Sequence, residues 1–228
     1  MPKYSISIRI LFCLLILFSF GSSRPAEAQS PNPESYLVKD INTTLSMGSN
    51  PQAFMQSALG TFFFITNDLG VGELWKTDGT QSGTVRVKSG VGPGGVKDFH
   101  KWISPPAWYA DYNGFLYFSG VDVDNGAKLW RTDGMEIGTN LVLDQSGQTI
   151  PVPENLTYFA GNLRFTSENS SFYQTDGTQA GTVYLGATPN VRSNLIVFAD
   201  SLCYTYFDWM SNYYRLSCES GSIPLEIS

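Results

Sequence analysis

The sequence predicts an all-β fold, a propeller-like array of four four-stranded repeats, on three observations. A twelve-residue stretch recurs: ELWKTDGTQSGT from Glu73 to Thr84, KLWRTDGMEIGT from Lys128 to Thr139, and SFYQTDGTQAGT from Ser171 to Thr182. Around each copy lie short runs rich in aromatic and β-branched residues, broken by Gly, Asn or Asp every ~8–12 residues, the pattern of strands in hairpins. Beyond the first 28 residues no segment carries a helical period. Successive Asp-Gly corners stand 55 and 43 residues apart, close to the ~40–50 residues of a four-stranded propeller blade.

Taken in order, residues 1–28 read as a signal peptide. Lys3 and Arg9 precede the apolar run Ile10 to Phe18, and Ala26-Glu27-Ala28 supplies the small-x-small pattern before a cut. The run is too short for a membrane span of about 20 residues. The expected mature chain, 29–228, is one repeat domain with 11 basic and 19 acidic side chains, net charge −8. That balance argues against nucleic acid, whose phosphates need basic patches. It points to a secreted, extracellular or periplasmic protein without a membrane span after cleavage.

The repeat units are expected over 51–90, 102–145, 155–187 and 194–228. Residues 36–41, YLVKDI, resemble the strand that follows a corner and are expected to close the ring against the last unit. A closed four-bladed ring is preferred to an open fragment, because an open array leaves sheet edges and inter-blade faces uncovered. A further step of 43 from Asp176 lands on Glu219 in LSCESGS, a degenerate fourth corner with Leu216 in the place of the Trp.

A corner present three times is scaffold rather than chemistry. Thr77, Asp78 and Gly79, with Thr132, Asp133 and Gly134 and with Thr175, Asp176 and Gly177, form turns in which Gly accepts positive φ and the Asp side chain caps backbone N–H groups. Trp75, Trp130 and Tyr173, three residues earlier, would pack between sheets as apolar wedges. These copies resemble the ELWxxDGT repeats of bacterial secreted and surface proteins. The resemblance implies a propeller-like, non-enzymatic architecture and an envelope setting, with the ligand unspecified. The chain departs from the pattern at Met135, which replaces the first motif Thr, and at Phe172-Tyr173, which replaces Leu-Trp.

Function is sought where the repeats differ. The stretch 89–109 is Gly- and Pro-rich and carries the one histidine, His100, with Trp102, Trp108 and Tyr109, aromatics able to stack on a ligand or plug an end of the domain. Asp122, Asp124 and Asn125 offer three oxygen ligands to Ca²⁺ but miss the spacing of a calcium loop, and an ordinary hairpin turn competes for them. No other cofactor is expected. Cys203 and Cys218 lie equally far from a hairpin tip near Met210 and Ser211, so they face each other as a disulfide or as two buried thiols. The expected function is a non-catalytic binding or adhesion scaffold for a surface glycan or protein. The alternative is a propeller-type glycoside hydrolase or other secreted hydrolase. Arg86, Arg131, Arg164 and Arg215 occur about once per unit at unequal strand positions, which does not make the arginine cluster that a sialidase-like site needs.

Overall fold

A computed structural model of the chain describes residues 38–41, 51–67, 69–93, 108–122, 126–167, 171–187, 191, 194–220 and 224–226. All belong to one compact unit, Val38–Ser228. Among the described residues every regular element is a strand, and the strands form four antiparallel sheets in chain order. The first sheet holds β1 (Gln52–Ser57), β2 (Gly60–Thr66), β3 (Gly72–Thr77) and β4 (Val85–Ser89), each paired with the next. The third repeats this order with β10 (Glu154–Phe159), β11 (Asn162–Ser167), β12 (Ser171–Thr175) and β13 (Val183–Ala187). The fourth does so with β14 (Ile196–Phe198), β15 (Ser201–Asp208), β16 (Tyr213–Ser220) and β17 (Pro224–Glu226).

The second sheet departs from the expected boundaries. Its first-strand position is split between β5 (Val91–Pro93) and β6 (Tyr109–Tyr112), which pair with opposite ends of β7 (Phe115–Asp122); β8 (Gly126–Thr132) and β9 (Asn140–Leu141) complete it. The Gly- and Pro-rich stretch therefore interrupts a strand of unit two instead of linking two units. That unit begins near Val91, eleven residues before the expected 102.

Tight hairpins set the register of each sheet. Asn113-Gly114, Ala160-Gly161 and Ala199-Asp200 join the first two strands of sheets two, three and four, and both residues of each pair have positive φ. That is the two-residue turn whose twist matches the flanking strands. Alternate residues then point to opposite faces, and three apolar clusters form between successive sheets. Phe62, Phe64 and Leu74 of the first sheet meet Leu116, Phe118 and Trp130 of the second. Tyr117 and Leu129 meet Leu163 and Phe165 of the third. Phe159 and Phe172 meet Leu202 and Tyr204 of the fourth. Among the described residues no cluster joins the fourth sheet to the first.

Two expectations about the ends need correcting. Val38 to Ile41 carry no strand; Lys39 instead donates from Nζ to the Thr84 carbonyl at 2.7 Å and lies 5.9 Å from the Trp75 ring, beside the first sheet. In the fourth unit, Ser217 faces Tyr204 across the hairpin as Tyr173 faces Phe165 and Trp130 faces Phe118. The wedge position is thus Ser217. Leu216 points the other way and is 48% exposed. Counting 43 residues missed by one, because register follows the hairpin and a slip of one residue reverses every face.

Candidate functional site

Each corner is closed by its own threonines and aspartate. Thr84 Oγ1 donates to the Thr80 carbonyl at 2.7 Å, so Thr77 Oγ1, 2.7 Å away, must donate to it, while Thr77 accepts from the Gly79 amide at 3.0 Å. The second corner repeats this with Thr132, Gly134, Met135 and Thr139, and the third with Thr175, Gly177, Thr178 and Thr182. Thr132, Thr139, Thr175 and Thr182 are fully buried, and the chain of hydroxyls supplies the partners that buried polar groups require.

The aspartates are held as tightly. Asp78 Oδ1 accepts from the Thr80 amide and hydroxyl at 2.9 and 2.7 Å, and Asp176 from those of Thr178 at 2.8 and 2.7 Å. Those threonine bonds hold both carboxyls below their ordinary pKa. Asp133 receives only the Met135 amide, at 2.8 Å, since Met135 has no hydroxyl. Gly79, Gly134 and Gly177 have φ of 89°, 90° and 94°, conformations that favour glycine. The closing Gly83, Gly138 and Gly181 are needed for space, because a Cβ there would overlap the Asp carboxylate.

The wedges differ among themselves. Trp130 packs in the cluster between sheets one and two, and Tyr173 against the one between sheets two and three, stacked 5.6 Å from Phe165. Trp75 lies on the face of sheet one turned away from sheet two, where its Nε1 donates to Glu73 at 2.9 Å.

Trp108 and Tyr109 are half-buried, Tyr109 opening β6. The Trp108 ring sits 6.5 Å from Phe64 and 5.4 Å from Tyr109, both rings packed against the first core cluster, and Gln56 donates its amide to the Tyr109 hydroxyl at 3.4 Å. They tie sheet one to sheet two. His100 and Trp102 fall outside the described residues, as do Asp124 and Asn125; Asp122 ends β7, opposite Val91 and Gly126. Among the described residues no group of three His, Cys, Asp or Glu could hold a metal ion. Cys203 and Cys218 are directly opposed across β15 and β16 and form a disulfide.

The four arginines do not converge. Arg86 pairs with Glu73 at 3.3 Å, Arg131 donates to the Gly177 carbonyl at 2.5 Å, and Arg215 pairs with Asp208 at 2.7 Å. Arg164 does something else. It lines a cavity of about 310 Å³ between sheets three and four, together with Phe172, Leu185, Tyr204 and Glu219. Its Nε is buried without a hydrogen-bond partner, and its guanidinium lies 6.0 Å from the Phe172 ring. Burial pushes the Arg164 pKa down, while Glu219 opposes that shift, and burial raises the Tyr204 hydroxyl above its usual value. Sequence reasoning had the signal for this site in hand, a charged residue inside the apolar strand NLRFTS, Asn162 to Ser167, but treated that arginine only as one of a scattered set.

Compared with known protein families, curated proteins and solved structures, the chain matches none at a significant level.

Proposed function

We propose that this chain is an exported, non-catalytic repeat scaffold that binds a ligand at the cell exterior, as the resemblance to ELWxxDGT repeats implies. The observation that carries this reading is the use made of the recurrent polar residues. Thr, Asp and Gly of all three corners are occupied by hydrogen bonds to one another and to their own backbone. Strongly perturbed acids in a cleft are a mark of catalysis. Here the carboxyls held below their ordinary range are Asp78 and Asp176 in exposed turns and Asp208 at the half-buried end of β15, and the shift of each comes first from a neighbouring Thr or Ser hydroxyl. The disulfide is in keeping with an oxidising compartment.

We also infer a propeller-like order of sheets that is open between the fourth and the first. Ile196, Phe198, Phe207, Tyr214 and Leu216 occupy the face of sheet four opposite to Leu202 and Tyr204, and Phe198 and Tyr214 are 72% and 69% exposed. In a closed ring this face would be covered. The functional reading is tested with the purified chain in two assays, turnover of a panel of glycoside and ester substrates and attachment to arrayed glycans and intact bacterial cells. Attachment without turnover is expected; turnover of any substrate by the chain, lost on heat denaturation, would replace the scaffold with a hydrolase.

A further inference from the structure

The cavity between sheets three and four arises where the repeat is broken twice. The corner threonines Thr77, Thr132 and Thr175 face Thr61, Leu116 and Leu163 across the hairpin, and the next residue in each strand is Phe62, Tyr117 and Arg164. Phe62 and Tyr117 are fully buried, so Arg164 stands where two preceding units bury an aromatic ring. Glu219 faces Leu202 as Thr175 faces Leu163, and it replaces a buried threonine. Two opposite charges therefore occupy strand positions that hold an aromatic ring and a threonine at the other two sheet junctions. Ser217, in the wedge position, faces Tyr204 with a side chain far smaller than the Trp or Tyr of the preceding units.

The charges face the same cavity without closing an ion pair, and Arg164 Nε keeps an unused proton. A buried donor with no acceptor is costly, and a carboxylate loses water contacts when a ligand fills the space before it. An apolar ligand would aggravate both. An anion would satisfy Arg164 but be repelled by Glu219, and a cation the reverse. A neutral hydroxyl satisfies both, because it accepts from one side and donates to the other. Phe172 and Tyr204, with ring centroids 6.4 Å apart, and the Leu185 side chain give the same cavity an apolar wall. Its volume lies at the lower end of the ~300–1,000 Å³ of ligand pockets.

We propose that this cavity binds a neutral pyranose unit, with Arg164 donating to one ring substituent, Glu219 accepting from a neighbouring hydroxyl, and the sugar's C–H face against Phe172 and Tyr204. The assignment rests on the reading of the chain as a binding scaffold and names its ligand class. Titration of the full chain with the methyl glycosides of glucose, galactose and mannose, followed by ligand-observed NMR, should show saturable binding of at least one, with Kd about 0.1–10 mM, weak as suits a single small ligand. Arg164→Met and the near-isosteric Glu219→Gln should each weaken it at least tenfold with an unchanged melting midpoint, while Ser82→Ala, on the first corner, should bind as the parent does. Should Arg164→Met fail to fold, Glu219→Gln decides the outcome alone. The proposal is overturned if no methyl glycoside saturates the chain, if Glu219→Gln binds as tightly as the parent, or if glycine and alanine, which also carry both charges, bind in place of the sugars. A chain that attaches to cells or arrays yet leaves this cavity empty of sugar loses only this assignment; one that does neither loses the scaffold reading as well.

Discussion

At the residue scale the corners form a natural mutation series. Asp78 and Asp176 each bind an amide and a hydroxyl, whereas Asp133 binds one amide, because Met135 stands where the others carry Thr. Asp133→Ala should therefore lower stability by about 1–3 kcal/mol through the lost turn bond, measured by urea unfolding; an unchanged midpoint would show that the carboxylate does nothing for the turn. Met135→Thr should act the other way, by about 0.5–1.5 kcal/mol. The new hydroxyl would give to Asp133 and receive the Gly138 amide, as Thr80 and Thr178 do in their own corners. Acid should expose the same bonds. Asp78 and Asp176 have pKa values lowered on folding, so their contribution is complete above the unfolded carboxylate pKa of about 4 and is lost as the pH falls through the folded value. The melting midpoint should fall below about pH 4, and the fall should be shallower in a Thr80→Val, Thr178→Val double variant. An equal slope in parent and variant would place the acid sensitivity elsewhere.

Strands, hairpins and corners were legible in the sequence where one local signal sufficed, and misread where two signals had to be placed relative to each other. The Thr-Asp-Gly stretches and the Ala160-Gly161 hairpin carry their own turn chemistry, so their conformations follow from a few residues. The split first strand of sheet two did not, since Val91 to Pro93 is only three residues and its partner at 120–122 lies beyond the interrupting stretch. Arg164 became meaningful only once register showed which aromatic it replaces. The turn at Ala199-Asp200 is the least favourable of its kind, with φ of 47° and 57° and no glycine. L-residues other than Asn, Asp and Gly resist that region. Converting the pair to Asn-Gly should stabilise the fourth sheet by about 0.5–1 kcal/mol, a size typical of relieved backbone strain. Slower amide exchange in β14 and β15 than in the parent would be the readout, and no change in exchange would mean that this hairpin does not limit opening of the sheet.

For the whole molecule, the three core clusters make stability a sum of neighbouring junctions, as in other repeat arrays. The core clusters of the first two junctions are densely aromatic. The third contains the charged cavity, and among the described residues the fourth sheet beyond it shares a core cluster on one side only, with its own strands cross-linked by Cys203–Cys218. Sheet four should therefore open at lower free energy than the rest, which suits a binding cavity between it and sheet three, since ligand sites draw on the less stable regions of a fold. Its far face is also a liability. Phe198, Tyr214 and Leu216, with Trp209 and Met210 at the hairpin tip, make an exposed apolar surface of the kind that mediates association. Residues 29–228 expressed alone should melt in a broad transition and show a mass that rises with concentration in light scattering. Replacing Phe198, Tyr214 and Leu216 together by Thr should suppress that rise without lowering the main melting midpoint, because these side chains contribute to none of the three clusters. A concentration-independent monomer with one sharp transition would mean instead that this face is covered within the chain, and the open order of sheets would give way to a closed ring.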